Sequence, residues 1–283
     1  MPEGDTLWRT ARRLDQALTG QPLVLSDLRW GSLATRDLVG MTTVEVRARG
    51  KHLLHRLDSG LTVHSHLRME GQWRIAHPGP DTERLARRHD LRALLGTSEW
   101  SAAGLRLGML DIVATTDEAS LVGHLGPDVL GDDWDAGQAV ANLVAYDGFV
   151  GDALLDQRTM AGVGTYWASE TLFVERILPW TRTDDLGPQA LTALVGRIHA
   201  LMDRAKDHAV QSSTGILRAG QENWVHGRSG RPCRRCGTTV RVAMTGRVPL
   251  ERTLFSCPSC QGGLAPTDEG RPQAPLGSRR ERR

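Results

Sequence analysis

The sequence predicts an α+β, multidomain protein: an N-terminal helix with a β-sandwich, then a helical domain, then a four-cysteine hairpin. Three observations carry that prediction. Short alternating runs fill residues 22–113 behind one leading helix, the texture turns helical after about residue 119, and all four cysteines fall in two tight pairs near the C-terminal end. A chain of 283 residues has room for two or three compact units. Its 40% hydrophobic and 24% charged content is that of an ordinary globular protein. The expected domains are 1–119, 120–225 and 226–262, with a tail over 263–283.

The leading helix follows from Leu7, Ala11, Leu14 and Leu18 at helical spacing, with Asp5 as the expected N-cap and Gly20 as the stop. Runs such as "TTVEVRA", "KHLLHRL", "LTVHSHL" and "GQWRIA" then alternate between turn signals such as Asp58-Ser59-Gly60, the pattern of a sandwich or barrel. Beyond "HLGPDVLGDDWD" come "AGQAVANLVAY", "VGDALLDQ", "GTYWASETLF" and "PQALTALVGRIHALMDRAK", which read as helices. Asp135 and the stretch from Thr183 to Asp185 stand where N-caps are useful. The last stretch, "LAPTDEGRPQAPLGSRRERR", has little to bury and is expected to be disordered.

Cys233-x2-Cys236 and Cys257-x2-Cys260, with 20 residues between the pairs, have the spacing of a zinc site. Disulfides are the competing use, and the absence of any other cysteine or of an apparent leader argues against them. Four protein ligands leave no place for water or substrate, so one Zn2+ is expected in a structural role. His64 and His66 would share one strand face, but two histidines without a third ligand read as ordinary strand residues, as do His52 and His55.

The net charge of +2 is unevenly placed. Residues 226–262 hold seven arginines (228, 231, 234, 235, 241, 247, 252) against one acid, Glu251, whereas 128–135 carries four aspartates. A polyanionic partner is expected at the basic end, or else a solvated basic face. No apolar run is long enough to span a membrane. No basic segment followed by an apolar one opens the chain, so a cytoplasmic location is expected. Nothing in the sequence demands more than a monomer.

Two short stretches bear on chemistry. Removal of Met1 from "MPEGD" would make Pro2 a terminal secondary amine, with a reference pKa of roughly 7.7–8.0 and therefore nucleophilic near neutrality, beside the carboxyl of Glu3. In "LLDQRTMAGVGTYWASETLF", Gly162 and Gly164 allow a tight turn between helices, and the second helix would offer free backbone N–H groups to a phosphate from about Thr165. Each has a plain alternative, a permitted Met-Pro start and an ordinary αα-hairpin.

Together these stretches resemble the formamidopyrimidine-DNA glycosylase and endonuclease VIII family of base-excision repair enzymes. The resemblance runs from "MPEG" through "RGKHLL", "HSHLRMEG", "LGPDVL", "LLDQRTMAGVGTYWASE" and "VHGRSGRPCRRCG" to "ERTLFSCPSC". It implies a helix and β-sandwich, a helix–two-turns–helix domain and a zinc finger. It implies a bifunctional glycosylase and abasic-site lyase acting on damaged DNA, with Pro2 as nucleophile and Glu3 as acid/base partner. It further implies that Lys51 and Arg252 grip phosphates around the flipped nucleotide, with Gly164, Thr165 and Arg228 as further DNA contacts. Met69 would be the side chain pushed into the vacated stack, its alternative being a core methionine at a hairpin tip.

Five departures from the family pattern matter. Thr165 stands where the family often has Asn, and Thr6 where many members have Glu. The arginine- and phenylalanine-bearing loop of members acting on oxidised purines is not recognisable near "EWSAAGLRLGMLDIV", and the stretch from Gly215 to Trp224 is short. The cysteine pairs lie about four residues further apart than is usual in the family, by the resemblance. These features favour the endonuclease VIII side, with oxidised pyrimidines preferred and single-stranded or bubble DNA tolerated beside duplex. The alternatives are an oxidised-purine glycosylase of the same family and a DNA-binding relative without catalysis.

Overall fold

The computed structural model describes residues 2–278 and divides into two compact units, one up to His124 and one from Leu125. The first unit begins with α1 (Gly4–Leu18), whose Leu7, Ala11, Leu14 and Leu18 are all buried. The strands follow as β1 (Leu25–Leu28), β2 (Thr43–Arg49), β3 (His52–Leu57), β4 (Leu61–His66) and β5 (Gln72–Ala76). After the short α2 (Pro80–Ala86) come β6 (Leu91–Gly96), β7 (Ser101–Leu105) and β8 (Met109–Ala114), then α3 (Ala119–Val122). They form two antiparallel four-stranded sheets, in the orders β1-β6-β7-β5 and β2-β3-β4-β8. Inward residues of both sheets, among them Leu53, Val63, Leu95, Ala102 and Leu110, close one core with the apolar face of α1. The predicted sandwich is therefore present.

The unit runs past residue 119 because Glu118 is tied back into the sheet. Its carboxylate accepts from Arg56 Nε at 2.7 Å and from Thr62 Oγ1 at 2.6 Å. The expected cap at Asp5 is corrected: α1 starts at Gly4, and Glu3 occupies the cap position with extended backbone. The Glu3 carbonyl accepts from the Thr6 and Leu7 amides at 2.9 and 3.0 Å, which starts the helix two residues early and buries Asp5 in its first turn.

His55, on β3, is 6% exposed and its Nε2 lies 2.8 Å from Thr43 Oγ1. Burial pushes its pKa down to about 4, against a smaller opposing pull from Asp15. The fold therefore holds His55 neutral while the unfolded chain takes up a proton below its ordinary value near 6.5. Stability should fall as pH drops from about 6.5 towards 4, by about 1.4 kcal/mol per pH unit from this histidine alone. Urea midpoints at pH 7.5 and pH 5.0 check this, and a His55→Gln variant should show a difference smaller than the parent's by this histidine's share, about 2 kcal/mol.

The second unit holds α4 (Ala136–Val144), α5 (Val150–Leu155), α6 (Thr165–Val174) and α7 (Pro188–Ala205), then β9 (Arg241–Thr245), β10 (Arg252–Ser256) and a turn of helix, α8 (Pro258–Gln261). Asp135 caps α4 as expected, its side chain accepting from the Gln138 amide at 2.8 Å. The cap expected between Thr183 and Asp185 is corrected. Pro188 sits in the first turn of α7, where a missing N–H costs nothing, and Thr183 is buried with its hydroxyl on the Tyr146 carbonyl. Helix α6 is buried from Thr165 to Phe173 and wrapped by the other helices, with Trp167 and Leu172 in the common core.

The expected disorder of 263–283 is corrected for residues 263–278, and 279–283 lie outside the described residues. Arg241 Nε donates to Asp268 Oδ2 at 2.7 Å in a pair whose side chains are 10% and 4% exposed. Gln273 takes both backbone groups of Val242, accepting from its N–H at 2.7 Å and donating to its carbonyl at 2.9 Å. Ala265 is buried in the helical core. Polar side-chain pairing, which hydrophobic content does not report, orders this segment.

Candidate active site and metal centre

The sequence-predicted residues fall into two groups, one in each unit. In the first, Pro2 is half-buried and Glu3 is fully buried at the start of α1. Lys51 sits with Gly50 in a two-residue turn between β2 and β3, closed by the Arg49–His52 pair. Gly50 has φ +57°, the left-handed conformation such tight turns demand, and glycine meets that demand at little cost. The turn presents Lys51 at the end of a rigid ribbon. Met69 lies beyond β4 in a turn closed by the Gly71 amide on the Leu67 carbonyl at 2.9 Å, and it is 66% exposed. That exposure rules out the core-methionine alternative.

Beside Lys51 the sheet carries polar side chains in sequence across three strands. His52 Nδ1 lies 2.8 Å from His64 Nε2, and His64 Nδ1 lies 3.1 Å from Asp111 Oδ2. The His52 and His64 rings stack at 5.1 Å, and His66 meets His52 edge-on at 5.0 Å. Burial, together with His66, His64, His124 and Lys51, pushes His52 down to about 3. Burial likewise lowers His66 to about 4, helped by Lys51.

In the second unit, Gly162 turns the chain at φ +100° and Gly164 is the extended residue before α6, which begins at Thr165 as expected. Gln157 ties the turn together. Its Nε2 donates to the Leu155 and Val163 carbonyls at 3.0 and 2.9 Å, while its Oε1 accepts from the Gly162 amide at 3.1 Å. Thr165 is 5% exposed, so the helix start offers backbone N–H groups more readily than a reaching side chain.

Glu170, inside α6, fixes the next loop. Its carboxylate accepts from the amides of Trp224, Val225 and His226 at 2.7, 2.8 and 2.6 Å, and from the Ser213 hydroxyl. Burial pushes this carboxyl above the usual carboxylate range, and the converging donors oppose the shift. Each of those amides would cost about 1–3 kcal/mol if left buried without a partner. The loop also closes on itself, with Ser213 and Thr214 amides on the Glu222 carbonyl and the Thr214 hydroxyl on that of Gln221 at 2.8 Å.

The four cysteine Sγ atoms lie within 4.8 Å of one another, with Cys236–Cys257 at 3.4 Å and Cys233–Cys260 at 4.0 Å, and none is in a disulfide. Zn–S bonds of about 2.3 Å in a tetrahedron put sulfurs about 3.8 Å apart, so the cluster has the size and donor set of a metal site. Cys233 and Cys257 also belong to a small core with Phe173, Val225, Val240 and Phe255.

The arginine-rich stretch is partly spent on the fold. Arg235 lies 4.2 Å over the Phe173 ring and donates to its carbonyl, and Arg241 pairs with Asp268. Arg228 donates Nη2 to the Pro232 carbonyl at 2.8 Å, and burial lowers its pKa from the usual value. Arg252 opens β10, is exposed, and donates to the Leu250 carbonyl at 3.2 Å. It stands opposite Thr245 in the β9–β10 ribbon.

Such an ensemble, a helix-led antiparallel sandwich in one unit and buried helices with a four-cysteine ribbon in the other, defines a class of DNA-repair fold. The formamidopyrimidine-DNA glycosylase N-terminal domain model matches residues 1–106, and that family's H2TH domain model matches residues 125–216. The chain belongs to the formamidopyrimidine-DNA glycosylase and endonuclease VIII family, as its motifs implied. A probable endonuclease 8 2 of Streptomyces coelicolor is 46% identical over 272 residues, covering 96% of this chain and 98% of that protein. A DNA-(apurinic or apyrimidinic site) lyase Nei2 of Mycolicibacterium smegmatis is 40% identical over 262 residues, covering 92% and 99%. Among solved structures, the Lactococcus lactis formamidopyrimidine-DNA glycosylase bound non-covalently to DNA with an abasic site superposes with a TM-score of 0.76. It covers 92% of this chain and 99% of that one at 22% identity, a likeness of fold. Among the described residues no helix is long and apolar enough to cross a membrane.

Sequence reasoning missed Glu170, Gln157 and the His52–His64–Asp111 chain. Glu170 left a signal, an acid in a helix otherwise free of charge from Thr165 to Val174. Gln157 binds only its own turn, which no residue pattern marks, and the histidine chain depends on partners that only the fold brings together.

Proposed function

We propose that the protein is a bifunctional DNA glycosylase and abasic-site lyase of base-excision repair, favouring oxidised pyrimidines. The observation that carries this reading is the buried Glu3 carboxyl at the head of α1 directly after Pro2, in a chain whose relatives are named endonuclease 8 and abasic-site lyase. With Met1 removed, the Pro2 nitrogen attacks C1′ of the damaged nucleotide. The N–C1′ bond forms as the glycosidic bond breaks, and the base leaves with a proton that Glu3 helps to deliver. The sugar ring then opens at its O4′–C1′ bond, O4′ taking a proton as the nitrogen lone pair forms the iminium, which acidifies the C2′ hydrogen. Loss of that proton expels the 3′ phosphate and cuts the strand.

Lys51 and Arg252 grip flanking phosphates, the α6 start at Gly164 and Thr165 receives another, and Arg228 contacts the backbone beside the finger. Met69, exposed at its turn, fills the place of the extracted base. The pyrimidine preference is supported by the short loop before Trp224, closed on itself and on Glu170, which leaves little chain to cover an oxidised purine. Cys233, Cys236, Cys257 and Cys260 would hold one Zn2+, which supplies folding of the finger and no chemistry of the reaction.

Borohydride trapping on DNA with an abasic site tests the nucleophile. The protein is made once with its native start and once with Met1 retained behind an N-terminal tag, each checked by intact mass. A covalent adduct from the native start alone is expected. No adduct from either, with Met1 shown to be absent, would leave a DNA-binding relative without covalent catalysis.

A further inference from the structure

His52 and His64, on β3 and β4, are idle in the proposed mechanism, yet they join Asp111 in a hydrogen-bonded chain across the sheet. His52, His64 and Asp111 come from three adjacent strands, β3, β4 and β8. His64 pairs directly with Asp111 across β4–β8, and His52 reaches His64 diagonally from its own partner, His66. His64 is fully buried, His52 half-buried, and the Asp111 side chain is 44% exposed. The chain thus runs from the Lys51 turn, through a buried ring, to solvent.

The proton positions follow from the donor inventory. An ionised carboxylate only accepts, so His64 Nδ1 carries the hydrogen directed at Asp111. His64 Nε2 is then the acceptor, and His52 Nδ1 must carry the hydrogen between the rings. That leaves His52 Nε2 with a bare lone pair one residue from Lys51, and among the described residues it has no hydrogen-bond partner. Both rings are held as Nδ1–H tautomers, the less common form in water. His66 stands outside the chain because its Nδ1 accepts from the Arg68 amide at 2.9 Å. The charged and titratable groups around His52 are Lys51, His64, His66 and His124.

We propose that Asp111, His64 and His52 form a proton relay that drains the lyase site during strand cleavage. The proposal rests on the lyase reading above. In the elimination step the C2′ proton passes to His52 Nε2 as the Nδ1 proton moves to His64 Nε2. The His64 Nδ1 proton moves in turn to Asp111, which gives it to water. The electron pair of the broken C–H bond forms the C2′–C3′ double bond, and the 3′ phosphate leaves with the C–O pair. Because each ring releases a proton as it receives one, neither has to hold a full charge beside the Lys51 ammonium. A proton taken by Asp111 from water and passed back along the chain, with His52 Nε2 releasing its own to solvent, resets both tautomers.

Asp111→Asn keeps an acceptor of the same shape and cannot take the proton, while His52→Gln removes the lone pair nearest Lys51. Schiff-base formation precedes the relay, so both variants should be trapped by borohydride at the parent rate. Single-turnover strand cleavage should slow by at least ~10-fold in each, within the range of general acid–base effects. Cleavage by His52→Ala should be partly restored by added imidazole, which a purely structural role would not allow. Heteronuclear NMR of the unmodified protein should show both histidines in the Nδ1–H form. Cleavage within twofold of the parent in both variants would overturn the relay, as would parallel loss of trapping and cleavage in a folded variant, or an Nε2–H tautomer at His64. A parent protein that yields no trapped adduct at all would sink the lyase reading itself, and the relay with it.

Discussion

Replacement of Pro2 by glycine is expected to slow base removal and strand cleavage by about 100-fold or more, while DNA affinity stays within threefold of the parent. Glycine keeps a terminal amine, so the loss isolates what proline adds. A secondary amine gives an iminium that is cationic without a further proton, and that charge draws electrons from the C2′–H bond. The pyrrolidine ring also ties the nitrogen to its own side chain, which restricts where its lone pair points from the head of α1. Small displacements of a reacting atom are costly, by about 100-fold for 1 Å. The measurement is single-turnover cleavage of an oxidised-pyrimidine duplex beside a binding titration. Equal rates would remove Pro2 from the mechanism, whatever the family pattern.

The second large effect is expected at the opposite end of the chain. Cys257 is fully buried, and its Sγ is 3.4 Å from that of Cys236. Cys257→Ser, or removal of the metal by a chelator, should unfold the finger and raise the Kd for damaged duplex at least ~10-fold, since metal binding in such sites is folding free energy. The salt dependence should change with it. Every phosphate left without its protein cation lowers the slope of log K against log salt by about 0.9, so withdrawing Arg252 and its neighbours from the DNA should flatten the line by about 0.9 to 2.7. Borohydride trapping at saturating protein should persist, because Pro2 lies in the other unit. Unchanged affinity would mean that the ribbon does not touch the DNA.

Legibility in the sequence followed the range of the interactions. The sandwich could be read because alternation is local and its inward residues, such as Leu53 and Val63, repeat at the strand period. The cysteine cluster could be read because two short spacings nearly fix its geometry. Helix α6 was placed by its glycine turn, since a helix buried on every side has no apolar stripe to show. The histidine chain could not be read, as its partners lie 12 and 47 residues apart and each pair alone looks like ordinary strand sequence. Arginine counting overstated the basic face, because nothing local tells that Arg235 lies on Phe173 or that Arg241 meets Asp268. The last segment was misjudged for the related reason that its order comes from a few distant polar pairs.

Gln273 bears on how copies of the protein behave when crowded. A two-stranded ribbon has two open edges, each able to template a strand from another chain. On the outer side of β9 the Gln273 amide occupies both backbone groups of Val242, standing in for one residue of a third strand, with Asp268 clamped to Arg241 beside it. The C-terminal segment therefore acts as a guard against edge-to-edge zippering, a hazard that grows wherever many copies gather along one nucleic-acid strand. Shortening the chain ahead of Gln273 would reopen that edge, so a truncated protein should self-associate at lower concentration than the full chain.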